Sequence, residues 1–154
     1  MARVGVNRME FLLENLRREL DMVQSTLKGL NTDVVALGGS GATKVLTAAD
    51  SGAIVKMGGS DASTVTLPAA AEGLKFRFVA TTAHAHVING GNSKIQGGYH
   101  HNTNAATVAR VAVSNKSSLT LHNSNAAQGD TLEMWCDGED WHVSGIVNDV
   151  ITQA

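Results

Sequence analysis

Histidine pairs are the residues of this chain best suited to metal chemistry. His84 and His86 are separated by one residue, a spacing that places both imidazoles on the same face of a β-strand. No carboxylate ligand lies nearby along the chain, since the next acidic residue is Asp130. We therefore interpret the pair as hydrogen-bonding histidines of the fold.

Two other clusters contain residue types that can bind ions. His100 and His101 point to opposite sides of an extended chain, so both cannot easily bind one ion unless copies meet around a three-fold axis. Asp137, Glu139 and Asp140 concentrate negative charge at a turn, but their spacing does not match that of a calcium-binding loop. A surface pair and a solvated hairpin turn are the interpretations we favour, and no metal or cofactor is predicted.

Nucleophile and phosphate motifs are missing from the sequence. It contains no Gly-x-Ser-x-Gly elbow, no phosphate-binding Gly-x-x-x-x-Gly-Lys-Ser/Thr and no dinucleotide fingerprint. Cys136 is the only cysteine, so a disulfide within one chain is impossible, and its place in an apolar alternation predicts a small core residue. We interpret the chain as non-catalytic and as suited to a reducing cytoplasm.

A heptad pattern of apolar residues at the N-terminus predicts a helix that associates with other helices. Apolar residues follow one another at alternating spacings of four and three, which places an apolar seam along one side of a helix. Because a chain of 154 residues has no second such helix, we expect the partner helices to come from other copies. The predicted seam contains Met9, Leu13, Leu16, Leu20, Val23, Leu27 and Leu30, with Val34 and Leu37 continuing the spacing.

The composition of this seam favours more than two strands. Leu occupies most a positions, and neither Asn nor Lys lies at a core position to favour a dimer. We predict a parallel homotrimer, with a tetramer as the close alternative. The firm part of the helix is Asn7–Lys28, and a flexible Gly38–Gly41 linker follows the ladder. Packing of this helix on its own domain is the other interpretation of the pattern.

Charge and hydropathy exclude several classes of partner. The formal net charge is −2, from 12 basic and 14 acidic residues, without the concentrated positive field that nucleic-acid binding needs. Met1–Arg8 has no apolar stretch typical of a secretory signal, and no run approaches the ~20 apolar residues of a membrane span. We expect neither nucleic acid nor membrane as a partner.

From Thr43 onward the pattern changes to short apolar alternations separated by turn residues, which predicts β-structure. Aromatics and cations alternate in Lys75–Val79, and Trp135 and Trp141 flank the acidic turn. The predicted fold class is α+β, an N-terminal coiled-coil helix followed by an all-β antiparallel sandwich or jelly-roll-like domain. The predicted β core is Val65, Leu67, Phe76, Phe78, Leu119, Leu121, Leu132, Met134, Trp141 and Val143.

The predicted organisation has four parts. An oligomerisation helix covers 1–37, a Gly/Ser linker 38–43, the β domain 44–147 and a C-terminal tail 148–154. Within the β domain, the Gly- and Asn-rich stretch Gly90–Thr107 predicts a long exposed loop. The predicted strands are Lys44–Leu46, Ile54–Met57, Thr64–Leu67, Lys75–Val79, His84–Ile88, Val108–Val113, Ser118–His122, Thr131–Cys136 and Trp141–Ile146.

Three segments resemble a known module. Lys44–Gly52 reads KVLTAADSG, Thr64–Val79 reads TVTLPAAAEGLKFRFV, and Gly129–Gly145 reads GDTLEMWCDGEDWHVSG. They are similar to a small β module of tailed-bacteriophage virion structural proteins, in which fibre, spike and head-decoration proteins carry T-L-P-A-A, G-x-x-F-x-F and D-G-x-x-W-x-V-S-G patterns.

The resemblance implies a non-enzymatic virion structural protein. Fibres usually carry the module within a much longer polypeptide, so this short chain predicts a capsid cement (decoration) protein on the capsid surface, assembled in the host cytoplasm. Such a homotrimer clamps neighbouring subunits of the major capsid protein and stabilises the head. The alternative is a tail fibre or spike adaptor, or a receptor-binding module whose Gly90–Thr107 loop contacts surface glycans.

Overall fold

The computed structural model describes residues 5–30, 33–104, 107–121 and 128–154, with helix side chains described over 8–23. The chain divides into two compact units, Met1–Thr32 and Asp33–Ala154. The first contains the one α-helix of the described residues, and the second is mostly β with one short 3₁₀ turn, Ala48–Asp50. The predicted order, one N-terminal helix followed by a β body, is therefore confirmed.

Helix α1 spans Val6–Leu30. It begins after Gly5, whose carbonyl accepts hydrogen bonds from the backbone N–H groups of Arg8 and Met9. Extending the helix to residue 37 was wrong, because Val34–Leu37 forms strand β1 of the second unit. Gly29 and Asn31 weaken helix formation just before this change. Leu37 is a buried core residue of the β body.

Twelve strands are described. They are β1 Val34–Leu37, β2 Thr43–Val45, β3 Ile54–Met57, β4 Thr64–Thr66, β5 Lys75–Ala80, β6 Val87–Asn89, β7 Ile95–Asn104, β8 Thr107–Lys116, β9 Ser118–Thr120, β10 Thr131–Cys136, β11 Trp141–Val147 and β12 Thr152–Gln153. Each predicted strand coincides with or overlaps one of these, although His122 of the predicted Ser118–His122 lies outside the described residues.

The described strands form two mixed sheets. The larger has the order β1-β3-β5-β10-β11-β7-β8 and the smaller β12-β9-β6-β4-β2. The first six strands alternate between the sheets. Each of β1 to β4 pairs in parallel with the strand two places on, about 20 residues later, as in the coils of a solenoid. The prediction of purely antiparallel sheets was wrong, because the opposite sheet supplies each crossover that parallel strands need.

One hydrophobic core lies between the sheets. Burial alternates along the strands, as in β5 and β10, because one face of each meets the opposite sheet. Trp141 is fully buried and packs at a ring-centroid distance of 5.7 Å from Phe76. All ten residues predicted for the β core are buried members of this cluster, and Cys136 joins them.

The stretch 90–107 is not a long loop, since most of it is strand β7. β7 pairs in parallel with β11 and antiparallel with β8. Gly97 has φ +118°, and a Cβ on it would lie 2.3 Å from the carbonyl oxygen of Val143 on β11. Glycine there permits the close approach of two strands, so the composition that suggests a loop instead serves sheet packing.

The segment 148–154 is not a free tail. Ile151 is buried, and its backbone N–H donates to the hydroxyl of the buried Tyr99 at 2.8 Å. Strand β12 pairs with β9, and the Ala154 carbonyl accepts from the Ser117 backbone N–H at 2.7 Å. The C-terminal residues therefore complete the smaller sheet.

Candidate functional site

Helix α1 exposes an unusual amount of apolar surface. The large apolar side chains described on it are 52% to 66% exposed, which is costly for a surface facing water. Five of the predicted seam residues, Met9, Leu13, Leu16, Leu20 and Val23, are among them. Phe11, Leu12 and Met22 are also exposed and lie outside the seam.

The remaining members of the ladder differ in their placement. Leu27 and Leu30 lie in the helix, but their side chains lie outside the described residues. Val34 and Leu37 belong to β1, so the helical ladder ends before them. The part of the predicted seam whose side chains are described runs from Met9 to Val23.

His86 serves the fold, and both it and His84 precede β6 rather than lie in a strand. The backbone N–H of Ser63 donates to His86 Nδ1 at 3.1 Å, so Nε2 carries the proton, and it lies 3.1 Å from the Thr82 carbonyl oxygen. His86 is fully buried, and this burial lowers the pKa of its imidazole, although the Thr82 bond opposes the shift. Both ring nitrogens are engaged, which leaves neither available as a metal ligand without breaking the fold.

His100 and His101 lie side by side on β7 with opposite orientations, as an extended chain predicts. His101 is buried and His100 is exposed. His100 pairs with Ile146 of β11 and Arg110 of β8, on the outward face of the larger sheet. The two imidazoles therefore do not act together within a chain.

The acidic turn between β10 and β11 is organised by Asp137. Its Oδ1 accepts the backbone N–H groups of Asp140 and Glu139 at 2.9 and 3.0 Å, and its Oδ2 lies 2.7 Å from His142 Nε2. These bonds, first that from the Asp140 N–H, hold the pKa of Asp137 well below its usual range. Both carboxylate oxygens are therefore engaged in holding the hairpin.

An aromatic stack continues from this turn onto the sheet surface. Trp135 on β10 and His142 on β11 are register partners, and their rings stack with centroids 4.2 Å apart and planes 14° apart. Trp135 is 51% exposed, whereas Trp141 is buried. Of the two tryptophans that flank the turn, Trp141 anchors the core and Trp135 forms a surface feature.

Two shallow grooves lie on the outward face formed by β5, β10 and β11. The smaller, of about 290 Å³, has Trp135 and Lys75 on its sides. The larger, of about 560 Å³, extends toward Ile146. Both grooves are lined by Arg77, Glu133 and Ser144. Arg77 Nε lies 3.8 Å from Glu133 Oε1, with both side chains more than half exposed.

Sequence reasoning missed these grooves. The alternation in β5 predicted that Lys75 and Arg77 face away from the core, and they do. Nothing local in the sequence indicates that β10 lies next to β5, with Trp135 opposite Lys75 and Glu133 opposite Arg77. The available signal was an exposed position for Trp135 in the alternation of β10.

Comparisons with known protein families, with curated proteins and with solved structures give no match to this chain. Within the described residues, no cluster of three or more His, Cys, Asp or Glu side chains is placed to hold a metal ion. None of the described helical sequence has the length and hydrophobicity required to cross a bilayer.

Proposed function

We propose that this chain is a non-enzymatic structural protein of a tailed-phage virion, a homotrimeric capsid cement protein that clamps neighbouring capsid subunits. The observation that carries the proposal is the stripe of apolar side chains on α1, each more than half exposed, from Met9 to Val23. Burying such a stripe against two copies of itself removes the cost of its exposure to water.

The charges beside the stripe support a helical bundle. When Met9 is placed at d, Glu10 and Arg17 occupy e positions and Glu19 a g position next to the apolar residues. Charges at e and g positions keep such a seam soluble at its borders and influence pairing between helices. A seam with apolar residues at a and d and charges at its margins is typical of helices that associate with helices.

The β body supports a mechanical role. Its core joins both sheets, and its C-terminal segment is fixed through Tyr99 and Ser117. A trimer would present three such bodies from one stem. Three linked weak contacts with a shell then act as one strong contact, because the second and third form at a high effective concentration.

The β segments that resemble phage virion modules support the same proposal. Thr64–Val79 contributes β4 and β5, and Gly129–Gly145 contributes β10 and most of β11. β5, β10 and β11 form the middle of the larger sheet and β4 is an inner strand of the smaller one, so the resemblance concerns residues that build the fold.

Counting copies in purified virions tests the assignment. Quantitative mass spectrometry should give a copy number that scales with the number of shell subunits, as expected for a protein on three-fold positions. A small fixed number per particle would instead identify a tail component and refute the cement role.

Binding to isolated shells tests the avidity mechanism. The double variant Leu16→Gln/Leu20→Gln should reduce shell occupancy by about 10²-fold or more, since valency is lost while each β body is kept. If the double variant is monomeric and still occupies the shells as fully as the unaltered protein does, the avidity mechanism is wrong.

A tail fibre or spike adaptor, or a receptor-binding module, is the second candidate function. Loop Gly90–Thr107 no longer supports it, because β7 occupies most of that stretch. The exposed Trp135 beside a groove is the observation that favours it.

A further inference from the structure

The groove beside Trp135 has a prepared aromatic wall. His142 covers one face of the indole, and Asp137 holds His142 through a 2.7 Å contact. Trp135 also lines the groove, and its register partner on the side opposite His142 is Lys75 of β5. An aromatic ring fixed in this way offers a flat apolar surface with little loss of side-chain freedom on binding.

The rim of the same groove carries a surplus of positive charge. Lys75 makes no ion pair with the described part of the chain. Arg77 shares its charge with Glu133 across 3.8 Å and in the open, where the pairing is weak. Cations within reach of an aromatic face suit a ligand that combines a flat C–H surface with a carboxylate.

The size of the groove limits the ligand. About 290 Å³ is close to the lower end of the ~300–1,000 Å³ typical of ligand sites, which suits one sugar ring. Gly52 lines one side without a side chain, and Ser144 and Glu133 offer hydrogen-bonding groups to sugar hydroxyls. The adjoining groove of about 560 Å³ gives room for neighbouring sugar units.

From these observations we infer that the outward face of β5, β10 and β11 binds an acidic polysaccharide, with one uronic acid ring stacked on Trp135 and its carboxylate at Lys75 and Arg77. All of these residues belong to the β body, so the inference goes beyond the cement role and does not depend on association of the helices.

Titration of the full-length protein with tetragalacturonate, and with neutral maltotetraose for comparison, tests the site. Tryptophan fluorescence is a suitable readout because Trp135 is exposed and Trp141 is buried. The acidic oligosaccharide should bind with a Kd on the order of 1 mM or lower and at least tenfold more tightly than the neutral one.

Three variants separate the contributions. Trp135→Ala should weaken binding of tetragalacturonate at least tenfold. Calorimetry measures binding to this variant, because the substitution removes the exposed tryptophan whose fluorescence reports binding. Lys75→Ala should remove most of the preference for the acidic ligand. Val45→Ala is the matched control, because Val45 is 66% exposed on β2 of the smaller sheet and lines neither groove, and it should leave affinity unchanged.

Several outcomes would overturn the inference. They are absence of saturable binding up to about 10 mM, equal affinity for the neutral oligosaccharide, or equal losses in Trp135→Ala and Val45→Ala. Tighter binding of adenosine monophosphate than of tetragalacturonate would also overturn it, by indicating a nucleotide site. The copy number of the protein in virions is independent of these results, so the two proposals fail separately.

Discussion

Replacing Leu16 and Leu20 with Gln should dissociate the proposed trimer. Gln is close to Leu in length and helix propensity, so the helix itself should persist. The two leucines are 63% and 57% exposed in the single chain. Association would bury most of that surface, and the substitution removes this gain.

The magnitude follows from the exposed fractions. Full burial of a Leu contributes about 1.5–3 kcal/mol, so roughly 60% of its surface contributes about 1–2 kcal/mol. Two residues in each of three chains then contribute about 6–12 kcal/mol to trimerisation. This changes the trimerisation constant by about four to nine orders of magnitude and raises the concentration of half-assembly by about 10²- to 10⁴-fold.

Sedimentation equilibrium across a range of concentrations measures this shift, and far-ultraviolet circular dichroism monitors the β body. The control variant Arg18→Gln/Asp21→Gln alters two exposed side chains at the outward f and b positions. It should sediment as the unaltered protein does, because neither position lies in the seam.

Two results would refute the reasoning. If the Leu16→Gln/Leu20→Gln variant keeps the mass of the trimer, the β bodies hold the assembly rather than the helices. If the unaltered protein is a single chain at tens of micromolar, the exposed stripe has another partner.

Other predictions concern the β body. Gly97→Ala should lower the free energy of unfolding, measured by urea titration, by about 3 kcal/mol or more, because its Cβ would lie 2.3 Å from a backbone oxygen. The control Gly52→Ala, at φ +91° with open space around it, should lower that free energy by only about 1–2 kcal/mol. Tyr99→Phe should lower the free energy of unfolding by about 1–3 kcal/mol, because it leaves the buried Ile151 N–H without its acceptor. NMR should show faster hydrogen exchange of the Ile151 amide in this variant, and an unchanged exchange rate would contradict the prediction. Because burial lowers the pKa of His86 from 6.5, the unfolded chain takes up the proton first as pH falls. Stability should therefore be full above about pH 6.5 and decline below it, and His86→Gln should flatten this profile; an equally steep profile in the variant would count against the assignment.

Local periodicity predicted the helix, many of the strands and the core residues. The ladder from Met9 to Val23 predicted which helix side chains share a face, because a helix repeats every 3.6 residues whatever surrounds it. The alternation in β5 and β10 predicted core residues such as Phe76 and Met134, since a strand with one face on a core alternates in any sheet.

That same alternation could not reveal strand direction. Parallel and antiparallel strands bury alternate residues equally when one face meets the core, so the parallel winding of β1 to β6 had no local signature. Parallel strands need a crossover, and here strands of the opposite sheet supply it in place of helices.

The sequence by itself determined the helix with its apolar seam, the β nature of the body and the residues of its core, because these depend on neighbours along the chain. Tertiary structure alone decided that Gly97 lies in a strand, that Ile151 completes the core, and that Trp135 faces Lys75 across a groove. Each of these depends on the distance between segments remote in sequence, which is set by sheet pairing and packing rather than by any local pattern.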